Sequence, residues 1–207
     1  MKAEILRGYE DAARSGFIER VESISTRRLL THVIQHLPGK PCRILDVGAG
    51  TGRDAAWFAA RGHTVVAVEP VDALRDAGIA KHGSPRIAWV RDTLPELSQT
   101  TMRGQTYDLI LLSAVWHHLD AAERQTALPV LRSLTAGGGN LIISIRHGPG
   151  GSTLPVFPAD VADTIEWAVT AGFGTIDQIA AQSAQPGNRQ AGVTWTWLVL
   201  QAEDDRA

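Results

Sequence analysis

The feature that most narrows the fold is an apolar run that stops at a cluster of glycines. Arg43-Ile44-Leu45-Asp46-Val47 is followed by Gly48-Ala49-Gly50-Thr51-Gly52, and a helical pattern starts at Arg53. A strand that turns sharply into a helix through glycines brings backbone amides close to a ligand with no Cβ in the way. The spacing then narrows the ligand. A dinucleotide fingerprint is G-x-G-x-x-G, but here Arg53 holds the sixth position and the last glycine comes one residue early. A phosphate loop needs Gly-Lys-Ser/Thr, and no lysine follows these glycines. Asp46, at the carboxyl end of the strand, would repel pyrophosphate. It suits a ligand carrying an ammonium or sulfonium group, because a nearby carboxylate stabilises buried positive charge.

The strand–helix alternation continues along the chain. Helices are expected over residues 53–61, stopped by Gly62, and over 72–82; strands are expected at Thr64–Val68, 86–90, 107–113 and 140–145. Asp120 with Glu123 reads as a capping box opening a helix to Leu134, which Pro129 should kink or split. Residues 136–139 read as a turn, and 147–152 as a glycine-rich loop. A helix over 159–171 follows, then strands at 175–179 and 193–201 that can pair as a hairpin. Ahead of Arg43 two helices are expected, the second over 26–37. Such alternation predicts an α/β doubly wound sheet with helices on both faces. No linker or repeat divides residues 1–207, so we expect one domain, with 1–40 a helical cap on a cofactor-binding core of 41–207.

Composition excludes several classes. A single cysteine, Cys42, rules out internal disulfides and thiolate zinc clusters, so no metal is expected. Net charge is −2 with acids and bases interspersed, and no basic stripe suggests nucleic acid as a partner. The longest apolar stretch, residues 109–116, is far short of the roughly 20 residues that cross a membrane. The first residues carry acids and lack a secretory core, which makes the cytoplasm the expected location.

Acids stand at the ends of the next two strands as well. Glu69 suits both hydroxyls of a ribose, and Asp92-Thr93-Leu94 could hold the amino group and face of an adenine. Three acids at successive strand ends describe S-adenosylmethionine better than NAD. The run ILDVGAGTGRDAAWFAARGHTVVAVEP resembles the first two motifs of class I, seven-stranded, Rossmann-like S-adenosylmethionine-dependent methyltransferases. WVRDTLPEL resembles the third motif, YDLILLSAVWHHL the fourth, and LTAGGGNLIISIRHGP the fifth-strand region of small-molecule members. The likeness runs from about Arg43 to Gln201. It implies that the C-terminal strand is antiparallel and that Asp46, Gly48, Gly50 and Gly52 cradle the methionine part. It further implies that Glu69 holds the ribose and that Asp92 with Thr93 or Leu94 meets adenine. Ala49, Thr51, Asp54, Pro70 and Ser113 are the remaining cofactor positions that it suggests.

Residues after the fourth strand face the acceptor in such enzymes. Nucleobase amino methylation often uses Asn/Asp-Pro-Pro-Tyr/Phe there, whereas this chain has Ser113-Ala114-Val115-Trp116-His117-His118. A small organic acceptor is therefore expected. His117 and His118 are candidate bases because imidazole titrates near neutrality, with His117 favoured for the acceptor side and His118 for packing. Arg146 and His147 leave the fifth strand on the same rim, and with the histidines and Arg189 would make a positive pocket for a carboxylate, phenolate or thiolate. Trp116 could supply an apolar or cation-binding face, or belong to the core. Tyr9, Phe17 and Arg20 sit in helices expected to cover the site as a lid. The alternatives are a cofactor-binding regulator, a nucleotide-dependent oxidoreductase on the same fold and, less favoured, an enzyme that methylates protein.

Overall fold

The computed structural model describes residues 1–150 and 154–204; Gly151 and Ser152 of the expected glycine-rich loop lie outside the described residues. The strands are β1 (Arg43–Val47), β2 (Thr64–Val68), β3 (Ile87–Val90), β4 (Tyr107–Leu112), β5 (Thr135–His147), β6 (Phe173–Gln182) and β7 (Thr194–Ala202). They form one sheet in the order β3-β2-β1-β4-β5-β7-β6. The first five run parallel, and β7 is antiparallel to both β5 and β6. That is the mostly parallel, Rossmann-like sheet with a reversed C-terminal strand. β1 lies between β2 and β4, with Asp46 opposite Ala67 on one side and Leu111 on the other.

Strands buried on both faces should alternate between two cores, and they do. Leu45, Ile110 and Leu112 pack with Leu128 and Leu131 of α7 (Ala121–Leu134) on one face. Ile44, Leu109 and Leu111 pack with Ala55 and Phe58 of α4 (Arg53–Ala59) on the other. Helix α5 (Asp72–Lys81) joins β2 to β3, and α8 (Val161–Thr170) precedes β6. Among the described residues no helix is long and apolar enough to cross a membrane.

Several local expectations need correction. α7 opens with the expected capping box but runs unbroken through Pro129, so the proline does not split it. The anticipated turn at 136–139 is instead the start of β5, with a register shift opposite Tyr107 and Gly138 at φ +70°. Gly139 is held so tightly there that a Cβ would stand 2.9 Å from the Ala136 carbonyl oxygen. A four-residue helix, α6 (Ser98–Thr101), was not foreseen, and β6 and β7 are joined through α9 (Pro186–Gln190) rather than by a simple hairpin turn. The N-terminal segment comprises α1 (Ala3–Ala13), α2 (Phe17–Glu22), α3 (Thr26–Leu29) and two 3-10 turns to His36, not two helices. It is tied down at both ends, to the segment after β3 and to β6. The Met1 amino group donates to the Leu94 carbonyl, and His36 Nε2 lies 2.8 Å from Asp177 Oδ2 on β6.

Candidate active-site cavity

The turn after β1 is built by its backbone. The Gly48 and Ala49 amides both donate to the Val68 carbonyl at 2.9 Å, which ties the glycine loop to the end of β2. Glu69, next along, is 4% exposed and accepts from the Gly50 amide at 2.7 Å and the Val71 amide at 2.9 Å. Burial pushes its carboxyl up to about 7, against the pull of those two amides. The glycines have different jobs. A Cβ on Gly48 would meet Val115 at 2.4 Å and one on Gly52 would meet Trp89 at 2.5 Å, so both are packing positions. Gly50, at φ +57°, has nothing within 4 Å of a Cβ; it faces open space. Asp46 is 2% exposed, and its Oδ2 is sealed without a partner. Burial first, then the negative charges of Asp54 and Glu69, hold its carboxyl well above the usual carboxylate range. The Arg53 charge and the Ala55 amide pull the other way without restoring the usual value, and Oδ2 stays without a hydrogen-bond partner.

The N-terminal segment closes over this loop. Thr51 donates its hydroxyl to Glu22 of α2, which also meets His82 Nε2 at 3.1 Å. Asp54 accepts from Thr26 at 2.7 Å and from two Arg53 nitrogens at 2.9 Å, and Arg53 in turn donates to the Val21 carbonyl at 2.8 Å.

A cavity of about 700 Å³ opens between these elements. Of the expected cofactor positions, Asp46, Gly48, Ala49, Gly50, Thr51, Asp54, Glu69, Pro70 and Ser113 line it. Gly52, Asp92, Thr93 and Leu94 do not. Asp92 is engaged by its neighbour and by α6, accepting from the Thr93 amide at 2.9 Å and from the Thr100 amide and hydroxyl at 2.8 Å. Leu94 is core. Val71 and Leu74 line the cavity beyond the end of β2 instead.

His117, His118 and Arg146 line the cavity from the side of β4 and β5. His118 Nδ1 lies 3.0 Å from the Pro155 carbonyl oxygen, so that nitrogen carries the proton and Nε2 accepts from the Tyr9 hydroxyl at 2.8 Å. The lid therefore holds His118 by its ring. His117 is 6% exposed and makes no side-chain hydrogen bond to a described residue; its Nδ1 is sealed and unpartnered. Its ring lies 4.2 Å from His118 and 5.6 Å from Trp195, between centroids. Burial, the neighbouring histidine and the Arg146 and Arg124 charges hold His117 well below the ordinary histidine value; burial lowers His118 too. Both rings are neutral near pH 7. The positive pocket expected from the sequence is thus carried by arginines alone.

Other expectations resolve plainly. Trp116 is fully buried, donates to the Thr164 hydroxyl at 3.3 Å and belongs to the core rather than the cavity. His147 does not line the cavity; its Nε2 meets the Thr196 hydroxyl at 2.8 Å. Arg189 does line it, while donating to the Ser183 and Ala184 carbonyls. Tyr9 and Phe17 line it and meet edge to face at 5.5 Å, whereas Arg20 stacks on Phe17 outside it. The sequence reading missed Trp195, Trp197, Ser144 and Asn188. For the tryptophans a signal was present, since Trp195 and Trp197 stand two apart on β7 and so share one face of the sheet. Among the described residues no group of His, Cys, Asp or Glu could hold a metal ion.

Residues 44–139 match a family model described as a methyltransferase domain. An uncharacterized methyltransferase of Mycobacterium tuberculosis is 30% identical over 105 residues, covering 51% of this chain and 40% of that protein. The human mitochondrial ubiquinone biosynthesis O-methyltransferase is 31% identical over 124 residues, covering 56% and 32%. The chain thus spans less than half the length of these relatives. Among solved structures, the Burkholderia thailandensis 1,6-didemethyltoxoflavin-N1-methyltransferase, with 1,6-didemethyltoxoflavin and S-adenosylhomocysteine bound, aligns with a TM-score of 0.77. It is 23% identical over 98% of this chain and 88% of its own. A TehB-like S-adenosylmethionine-dependent methyltransferase from Corynebacterium glutamicum aligns at 0.65, with 20% identity over 96% and 98%.

Proposed function

We propose that this chain, whose seven-stranded sheet shares the fold of an S-adenosylhomocysteine-bound methyltransferase, binds S-adenosylmethionine and transfers the methyl group to a small organic acceptor. The observation that carries this reading is Asp46, a buried carboxylate with an unpartnered oxygen beside a glycine left open to the cavity. A cationic, amino-acid-like ligand supplies the missing partner, and a pyrophosphate would not.

In this reading Asp46 with the 48–51 backbone takes the methionine part, Glu69 and Pro70 the ribose, and Asp54 and Ser113 complete the walls. Bound there, S-adenosylmethionine supplies an electrophilic methyl group on a sulfonium. The chain's own contribution is mainly positioning, for which oriented reactions gain about 7–11 kcal/mol. His117, neutral and with Nδ1 sealed, takes on its other nitrogen, Nε2, the proton of an acceptor that arrives protonated. His118 is held by Tyr9 and Pro155 and is a positioning residue. The lid formed by α1 and α2 excludes water. The small-molecule acceptor is supported by the Burkholderia neighbour, which holds 1,6-didemethyltoxoflavin beside S-adenosylhomocysteine. We take residues 1–207 as one such domain, with 1–40 as its cap, working in a reducing cytoplasm with neither nucleic acid nor membrane as partner.

Calorimetric titration with S-adenosylmethionine, S-adenosylhomocysteine and NADH tests the cofactor. The first two should bind and NADH should not; tighter NADH binding sinks the proposal. A methyl-release screen over phenols, thiols, amines and carboxylates tests the enzyme, and cofactor binding with no turnover on any class would favour a regulator.

A further inference from the structure

Charge is divided across the cavity. Its carboxylates, Asp46, Asp54 and Glu69, come from the ends of β1 and β2 and the start of α4. At the other end Arg146 leaves β5 half-buried, and burial lowers its proton affinity. Its guanidinium makes one hydrogen bond among the described residues, to the Gly148 carbonyl at 3.2 Å, and no ion pair. Arg53, by contrast, is clamped on Asp54, and Arg189 on two carbonyls. The charge of Arg146 reaches both histidines and depresses them, so no protein anion neutralises it there.

We propose that the methyl acceptor is itself an anion, a small carboxylate or phosphate whose charged group pairs with Arg146; this rests on the methyltransferase reading above. A partly desolvated guanidinium with free donors presents a fork that matches either group. Burial remains the main cause that holds His117 down, but the anion offsets the smaller part due to Arg146 and so strengthens the base that takes its proton. A neutral isostere would leave Arg146 uncompensated.

The test uses the full chain saturated with S-adenosylhomocysteine and three probes of like shape: 4-hydroxybenzoate, phenyl phosphate and the neutral 4-hydroxybenzamide. At least one anion should bind roughly 10- to 100-fold tighter than the amide, the range of a hydrogen bond to a charged group. Whether carboxylate or phosphate wins identifies the group. Arg146→Gln should erase the preference, and Arg146→Lys should keep part of it. An amide that binds as well as both anions, no binding by any probe, or a preference that survives Arg146→Gln would overturn the proposal. Failure of S-adenosylhomocysteine to bind would instead sink the methyltransferase reading, and the same three probes titrated on the free protein would still decide the anion preference.

Discussion

The two ends of the cavity are made differently. At the ends of β1 and β2 the walls are backbone and carboxylate: amides of the glycine loop, Glu69 held by the Gly50 and Val71 amides, and Asp46 sealed beside them. At the ends of β4, β5 and β7 the walls are side chains from distant segments: His117, Arg146, Trp195 and, from the lid, Tyr9. One end is local in sequence and rigid through main-chain hydrogen bonds. The other is assembled across the chain, so its chemistry can change one side chain at a time. In the proposed function the first end takes the fixed ligand and the second the variable one.

The hardest test of that division is Gly50→Val. The new side chain would fill the open face of the loop, so S-adenosylmethionine binding should vanish in calorimetry. The fold should survive a modest loss of stability, since a β-branched residue at positive φ is strained. Retained binding would show that this end is not the cofactor cradle.

His117→Ala probes the other end. Turnover should fall about 10²–10⁴-fold with cofactor affinity nearly unchanged. The sequence alone suggests a rate that rises through an ordinary histidine titration; the depressed value moves it. A base must be neutral, and His117 is neutral until the pH falls through its lowered pKa. The wild-type kcat/KM, which reports the free enzyme, should therefore stay flat through neutral pH and drop only in acid, below the usual histidine range. A rate still climbing between pH 6 and 7 would reverse the assignment.

Glu69 should matter less than Gly50 but more than the lid. Glu69→Ala should weaken S-adenosylmethionine by roughly 1.5–3 kcal/mol, the range for hydrogen bonds to a charged group. It carries a stability signature too. Its folded pKa of about 7 lies above the value of 4.5 for a free glutamate, so the folded state holds the extra proton between them. Stability from this group is full below about pH 4.5 and is lost as pH rises through 7, by up to about 3 kcal/mol. Glu69→Gln should flatten that part of the stability–pH curve in denaturant titrations. An unaltered curve would make Glu69 an ordinary surface acid.

The smallest effect belongs to the link between the two ends. Tyr9→Phe removes one hydrogen bond to His118 and should cost about 0.5–1.5 kcal/mol, read as a several-fold loss in kcat/KM for the acceptor rather than in cofactor affinity. A loss confined to cofactor binding would place Tyr9 with the first end.

Legibility in the sequence follows the same line. Strand β1, the glycine turn, Glu69 and the capping box of α7 were readable because each is decided within a few residues by periodicity, φ preference or a local hydrogen bond. Asp92 looked like a ligand contact by the same logic, yet its oxygens are taken by Thr93 and by Thr100 of α6, a helix that nothing in the pattern announced. Pro129 looked like a helix breaker, but α7 is buried against the sheet through Leu128 and Leu131, and packing outweighs one lost hydrogen bond.

What the sequence by itself determined is the α/β sheet, the order of its early elements and an acid-bearing glycine turn, since short-range sterics and burial patterns act along the chain. What only the tertiary structure decided is which of two adjacent histidines is tied down and which is left without a partner. Tyr9 and Pro155 hold His118, Trp195 flanks His117, and Arg146 sets the charge around both. The reason is physical: hydrogen bonding, desolvation and Coulomb interaction depend on distance in space, and these residues become neighbours only when β5, β7 and the N-terminal lid close around the end of β4.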